Sequence, residues 1–282
     1  MGKAKAAAIG RLLPNGERVI IRSFPPLKGA RRPNRNPSSP RQREAHSTGE
    51  GWLWGAHAVL AALANPLRRV ERLLVTRNAA ARLPGGMAHE LVEPAEIDQR
   101  LPPGAVHQGF ALKAAPLPEY GWEDIALPLD ARPLLVLDQV TDPQNVGAAF
   151  RCAAAFGARG LILQDRNAPP ITGALAKAAV GAIEIVPEAR VVNIARTLDS
   201  LQEAGYLTLG LAGEAERTLA EAVEDTRPTA LVIGAEDKGL RPLVARSCER
   251  LARIPIAPAM ESLNAGVAAA IALYECRRRT SQ

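Results

Sequence analysis

The sequence predicts an α/β protein built on a parallel sheet, preceded by a smaller α/β unit and a basic tail. Three observations predict it. From Leu134 onward, six short apolar runs alternate with stretches of helical spacing. Those runs are nearly unbroken Leu, Val and Ile, the pattern of strands buried on both faces. Before residue 49, apolar periodicity disappears and Arg, Pro, Asn and Ser dominate.

The chain has 282 residues, 47% of them hydrophobic and only 4% aromatic, so its core must be aliphatic. That length suits one large or two modest globular domains. No apolar run approaches the roughly 18 residues that span a bilayer, and no membrane partner is expected. The three cysteines (Cys152, Cys248, Cys276) include no CxxC pair and read as buried small hydrophobes in a reducing compartment. Cys152 lies beside Arg151, but no His or acid at a suggestive spacing makes it a nucleophile.

The charge is unevenly placed. Residues 1–48 hold eleven Lys or Arg against two Glu, whereas the remainder carries 24 basic against 27 acidic residues. The whole basic excess therefore sits in the tail, which is expected to be disordered and to act as an electrostatic arm for RNA. Its bland alternative is a solubilising extension. An Arg-rich, acid-poor start also resembles an organelle transit peptide, although a cytoplasmic location is the expectation. The start MGKAKA lacks the Ser or Thr of a myristoylation site, and no apolar segment suggests secretion.

Within 49–115, AHAVLAALAN (56–65) has helical spacing and VERLLVT (70–76) reads as a strand. HELVEP (89–94) is a second short strand, AEIDQRL a helix and VHQGFALKA (106–114) a third strand. Residues 116–132 are rich in Pro and read as a linker. In 133–282 the expected strands are LLVLD, GLILQ, IEIVP, YLTLGLA, TALVIGA and ARIPI. Helices are expected over 143–156, 171–182, 192–204, 217–223, 239–250 and 262–278.

Three segments place small and polar residues where strand passes to helix, the edge where open α/β sheets bind ligands. In LDQVTDPQNVGAAFRCAAAFGA (137–158), Asp142 and Pro143 open a helix that Gly157 closes. Asn145 falls in its first turn. Arg151 is flanked along the helix by Gly147, Ala148, Ala154 and Ala155, so nothing bulky is expected to shield its guanidinium. In LVIGAEDKGLRP (231–242), Gly234 allows close backbone approach and Glu236 stands at the strand's end. In IPIAPAMESLNAGVAAAIALYE (254–275), Ser262 is a natural helix cap and Asn264 follows it. Each of these residues has an ordinary structural role as an alternative: a cap, a turn or a solvated charge.

Together the three segments closely resemble the signature motifs of the SpoU-type RNA 2′-O-methyltransferases of the SPOUT superfamily, over residues 51–279. The resemblance implies a C-terminal SPOUT domain with a deep trefoil knot, where general topology rules alone predict an open unknotted sheet. GWLWGAHAVLAAL, NPLRRVERLLVT and GAVHQGFAL resemble the L30e-like RNA-binding domain attached to many such enzymes, here shortened around Arg77–Gly86. The implied cofactor is S-adenosylmethionine, held by Gly213, Gly234, Ile254, Ile256 and Leu263. The implied catalytic set is Arg151, Asn145, Glu236, Ser262 and Asn264, in a homodimer without a metal. The motifs look most like the branch that modifies a guanosine of 23S rRNA, with a tRNA guanosine as the nearest alternative.

Two positions depart from the family pattern. Lys238 stands among residues that are usually small or acidic, and Gly266 where Ser is frequent. They leave open an RNA-binding homologue that has lost catalysis. A conventional class I methyltransferase is a further alternative, since Asp165 ends a second strand, but the glycine-rich first loop is missing. His57 and His107 are read as structural. No GxGxxG follows the first strand, and GxxxxGK[ST] and HExxH are absent, which argues against nicotinamide, P-loop and zinc-hydrolase chemistry.

Overall fold

The computed structural model describes residues 9–12, 18–21, 51–127 and 129–280. In the tail, β1 (Ile9–Leu12) and β2 (Arg18–Ile21) pair antiparallel, with Ile9 opposite Ile21. The expectation of a disordered tail therefore fails at these two segments, where β-branched residues favour strand. Its RRPNRNPSSPR run lies outside the described residues.

The small unit runs β3 (Trp52–Trp54), α1 (Ala56–Ala64), β4 (Val70–Val75), α2 (Arg77–Ala80), β5 (Glu90–Leu91), α3 (Pro94–Asp98) and β6 (Phe110–Ala114). Its sheet order is β3-β6-β4-β5. The expected strand 106–114 begins only at Phe110, because a turn precedes it in which Phe110 N–H donates to His107 O at 3.0 Å. There Gln108 takes a positive φ of 53°, and Gly109 N–H donates to His107 Nδ1 at 3.0 Å. His107 Nε2 lies 3.3 Å from Asp98 Oδ1, so this histidine does hold the turn.

Residues 116–132 are not an open linker. They carry α4 (Trp122–Ala126), whose Ile125 and Ala126 are fully buried. Tyr206 Oη donates to Ala126 O at 2.8 Å, and the buried Arg159 guanidinium binds Ile125 O and Asp130. Apolar residues at 125 and 126 outweigh the surrounding prolines.

The large sheet comprises β7 (Leu134–Leu137), β8 (Gly160–Gln164), β9 (Glu188–Val191), β10 (Leu207–Leu211), β11 (Thr229–Ile233) and β12 (Arg250–Ala252). All are parallel, in the order β12-β10-β11-β7-β8-β9. Between them lie α5 (Pro143–Phe156), α6 (Gly173–Ala179), α7 (Ile194–Glu203), α8 (Leu219–Ala222) and α9 (Pro242–Ser247), and α10 (Ala265–Thr280) follows. In the register, Leu135 sits between Leu231 and Leu161. These side chains are wholly buried, each contributing about 1.5–3 kcal/mol. The apolar-run argument thus identifies the sheet correctly.

Two expected strands are displaced. IEIVP is not a strand: Ala182–Glu184 form one 3-10 turn and the strand follows at Glu188. Pro187 has no N–H for a ladder, and Glu184 turns inward to meet Arg68 Nη2 at 2.6 Å with both side chains buried. ARIPI pairs only as far as Ala252 in β12, and Arg253 bonds Arg217 and Leu219 instead. The Arg68–Glu184 pair fastens the small unit to the large one. Beside it the Trp54 ring lies so close to Gly173 that a Cβ there would come within 2.0 Å of it.

Candidate active site

The site is assembled where β7, β11 and β12 pass into their following segments. Asp142 caps α5 by accepting Gln144 N–H at 3.1 Å, Pro143 opens it, and Gly157 closes it with φ 71°. Both ends match the sequence signals. This start turns Asn145, nearly buried, toward the end of β11.

After β11, Gly234 lies so close to the returning chain that a Cβ would stand 2.1 Å from Gly239 C. Gly239 N–H donates to Ala235 O at 2.8 Å, closing a tight turn that presents Glu236, Asp237 and Lys238. The turn is held from behind by Asp138, which is fully buried. Asp138 accepts Arg241 N–H at 2.9 Å and its guanidinium at 2.6 Å and 2.8 Å. Sequence reasoning did not single out this pair; a carboxylate closing an apolar strand was its one available signal.

The third segment departs from expectation at its cap. Helix α10 begins at Ala265, and Asn264, not Ser262, caps it: its Oδ1 accepts the N–H groups of Gly266 at 2.8 Å and Val267 at 3.2 Å. Ser262 is left exposed in the preceding loop.

The three segments meet at one carboxylate oxygen. Glu236 Oε1 accepts Asn145 Nδ2 at 2.6 Å, Asn264 Nδ2 at 2.7 Å and Ala265 N–H at 3.2 Å, and Asn264 Nδ2 also reaches Asn145 Oδ1 at 2.7 Å. Next to this knot opens a cleft between the ends of β10 and β11 and the loop before α10. It lies at the carboxyl ends of β10 and β11, close to where the strand order reverses.

All five residues expected to bind the cofactor line this cleft: Gly213, Gly234, Ile254, Ile256 and Leu263. Of the expected catalytic set, Glu236 and Ser262 line it, while Asn145 and Asn264 reach it through Glu236. Arg151 is not among the lining residues. It stands six residues beyond Asn145, a rise of about 9 Å, with its exposed side chain unbonded to any described residue. Sequence reasoning missed Leu211, Ile233 and Glu261, which also line the cleft. The first two end strands, and the carboxyl-end rule applied to β10 and β11 was the signal that pointed to them.

Arg151 is exposed, as expected, and the small residues Gly147 and Ala148 beside it serve a second purpose. A Cβ on Gly147 would lie 2.5 Å from Ala178 Cβ on α6, and one on Gly266 would lie 2.8 Å from Ala148 Cβ. They permit close helix packing within the chain. The alanines after Gly266 do the same, with Ala269 and Ala272 buried in the core that α5 shares. His57, read as structural, is exposed. Burial pushes the Cys248 and Cys276 thiols up to about 12 and raises that of Cys152 despite Arg151 beside it, which leaves no thiolate nucleophile at neutral pH. Asp165, the acid a class I methyltransferase would need, lies away from the cleft lining.

The model of the SpoU rRNA Methylase family matches residues 132–274, just over half of the chain. The chain belongs to the SpoU rRNA methylase family. Family membership makes it an RNA 2′-O-methyltransferase that uses S-adenosylmethionine. A second model, RNA 2′-O ribose methyltransferase substrate binding, matches residues 52–120. An uncharacterized tRNA/rRNA methyltransferase of Synechocystis sp. is 39% identical over 80% of this chain, which spans 62% of that protein. The 23S rRNA (guanosine-2′-O-)-methyltransferase RlmB of Pseudomonas aeruginosa is 37% identical, with 80% of this chain and 96% of the relative covered. Among solved structures, an AdoMet-bound rRNA methyltransferase of Sinorhizobium meliloti is 27% identical with a TM-score of 0.66, covering 80% of this chain and 86% of that one. The SpoU methyltransferase AviRb of Streptomyces viridochromogenes, at 23% identity, covers 82% and 90% with a TM-score of 0.70 and shares the fold.

The cleft of this SpoU methylase fits the cofactor. Ile254, Ile256 and Leu263 give it an apolar wall for an adenosine, and Gly213 has open space where a side chain would stand. Among the described residues no cluster of His, Cys, Asp and Glu has metal-binding geometry, and no helix is long and apolar enough to cross a membrane.

Proposed function

We propose that this methylase transfers a methyl group to the ribose 2′-hydroxyl of a guanosine in 23S rRNA. The observation that carries the reading is the joining of the three motifs at Glu236 Oε1, beside a cleft lined by every residue expected to hold the cofactor. The guanosine and the 23S rRNA come from relatives such as RlmB of Pseudomonas aeruginosa, at 37% identity across 80% of the chain.

When bound, S-adenosylmethionine supplies a methyl group already activated as a sulfonium. Ile254, Ile256 and Leu263 hold the adenosine and exclude water, while Gly213 and Gly234 let backbone approach it. Asn145 and Asn264 fix Glu236, and Glu236 fixes the loop that borders the cleft in which the cofactor would be held. Ser262, freed from capping, is available to the ribose. Arg151 stabilises the charge developing on the 2′-oxygen as its proton passes to solvent water. A guanidinium stays protonated at neutral pH, so Arg151 orients and stabilises the nucleophile and does not deprotonate it.

Because Arg151 stands outside its own chain's cleft, we infer that it completes the site of a second copy. The α10 face bearing Val267, Ile271 and Tyr274, at i, i+4 and i+7, is exposed by 46%, 37% and 53%. That stripe suits a homodimer contact alongside α5. The same reading takes the C-terminal segments to form a deep trefoil knot, residues 49–115 to be an L30e-like RNA-binding domain, and the protein to work in the cytoplasm. Labelled methyl transfer from S-adenosylmethionine to unmodified 23S rRNA and tRNA, with 2′-O-methyl mapping, tests it. One guanosine labelled in 23S rRNA is expected. Labelling of tRNA alone would reassign the substrate, and transfer to neither would contradict the reading.

A further inference from the structure

A second cleft opens where the small unit meets the large one. Gly55, His57 and Gln108 line it from the small unit, and Lys177 and Val180 from the large one. Trp54 forms its floor but is 95% hidden beneath Gly173, so no base can stack on the ring. The polar groups at the rim are a cation, an imidazole and a carboxamide. Gln108 Oε1 is occupied by Ala56 N–H at 3.0 Å, which leaves its amide N–H groups to face outward. The side chains of Lys177 and His57 bond no described residue.

The walls are strained from both sides. Among the described residues, four non-glycine residues have positive φ, and Gln108 (53°) and Val180 (53°) both line this cleft. For a β-branched residue such as Val180 that conformation is a true outlier. Strain of this kind persists where surrounding structure enforces it, commonly at ligand sites. Here the enforcement is visible: the buried Arg68–Glu184 pair and the Trp54–Gly173 contact fix the two walls against each other. A lysine in the last turn of α6 also offsets the helix dipole, but that role explains neither the strained walls nor the unoccupied donors across from it.

We propose that this junction binds a backbone phosphate of the substrate RNA, with Lys177 supplying the charge and His57 and the Gln108 amide supplying hydrogen bonds. The inference rests on the RNA reading above and adds to it a contact shared by both units. All three groups donate, as a phosphate requires. A phosphate contact carries no sequence information; it sets the register in which the RNA crosses from the small unit toward the methyl-transfer cleft.

The test is the affinity for an unmodified 23S rRNA transcript as a function of salt, in the full-length protein and in Lys177→Ala, Lys177→Glu and Lys177→Arg. Loss of one phosphate contact lowers the slope of log affinity against log salt by about 1. We expect that change in Lys177→Ala, with affinity several-fold weaker at low salt and weaker still in Lys177→Glu. Lys177→Arg keeps the slope, and all variants bind S-adenosylmethionine as the parent does. An unchanged slope and affinity in the Ala and Glu variants would overturn the site while leaving the RNA reading intact. A parent protein that bound no RNA would overturn both.

Discussion

Asn145 and Glu236 stand 91 positions apart in the chain and meet at 2.6 Å, amide Nδ2 to carboxylate Oε1. The contact closes the first motif onto the second, and Asn264 closes the third onto both at 2.7 Å. One oxygen thus fixes the edge of the cleft from three directions. Behind it, Asp138 and Arg241 pin the far end of the same turn.

Glu236→Gln keeps the shape and replaces the accepting carboxylate with an amide. Charge-assisted hydrogen bonds are worth about 1.5–3 kcal/mol each, and partial compensation by the amide oxygen recovers some of that. S-adenosylmethionine affinity should fall by about tenfold or more, read by calorimetry. Unaltered affinity would show that the knot does not shape the cleft.

Gly266 is explained by its neighbour. A Cβ there would lie 2.8 Å from Ala148 Cβ and 3.1 Å from Asn264 Oδ1. A serine at this position would therefore push α10 from α5 and crowd its cap. Gly266→Ser should cost about 1–3 kcal/mol as overpacking, and less in an Ala148→Gly background, by denaturant unfolding of the four-member cycle. Equal costs in both backgrounds would count against this packing account.

The join between the units is predicted to resist loss of charge poorly. Arg68 and Glu184 keep only 4% and 3% of their side-chain surface exposed. Removing one partner of such a pair costs about 3–5 kcal/mol, because the other charge is left buried. Glu184→Gln should show that loss in chemical denaturation, and a change below about 1 kcal/mol would mean the pair relaxes into water.

Much of this was legible in the sequence. The parallel sheet followed from β7, β8 and β11, whose short runs of buried aliphatics alternate with helical segments. The five positions expected to contact the cofactor came from motif resemblance, and all line one cleft. What failed was local competition decided by distant partners. IEIVP has strand composition, yet Glu184 is drawn to Arg68 in another part of the chain. Ser262 and Asn264 are both good caps, and only the position of Glu236 across the fold selects Asn264. The prolines of 116–132 signalled a linker because the pocket that buries Ile125 is made by β8, β9 and Tyr206, none of them adjacent in sequence.

Arg151 carries the central claim, since Glu236 and Ser262 line the cleft and Asn145 and Asn264 bond Glu236, whereas Arg151 does neither in its own chain. The most direct measurement compares Arg151→Ala with the parent for S-adenosylmethionine affinity and for turnover on RNA. Affinity should stay within about twofold while turnover falls by about 10²-fold or more, the scale of losing a donor to a developing oxyanion. Substantial remaining turnover would contradict the account.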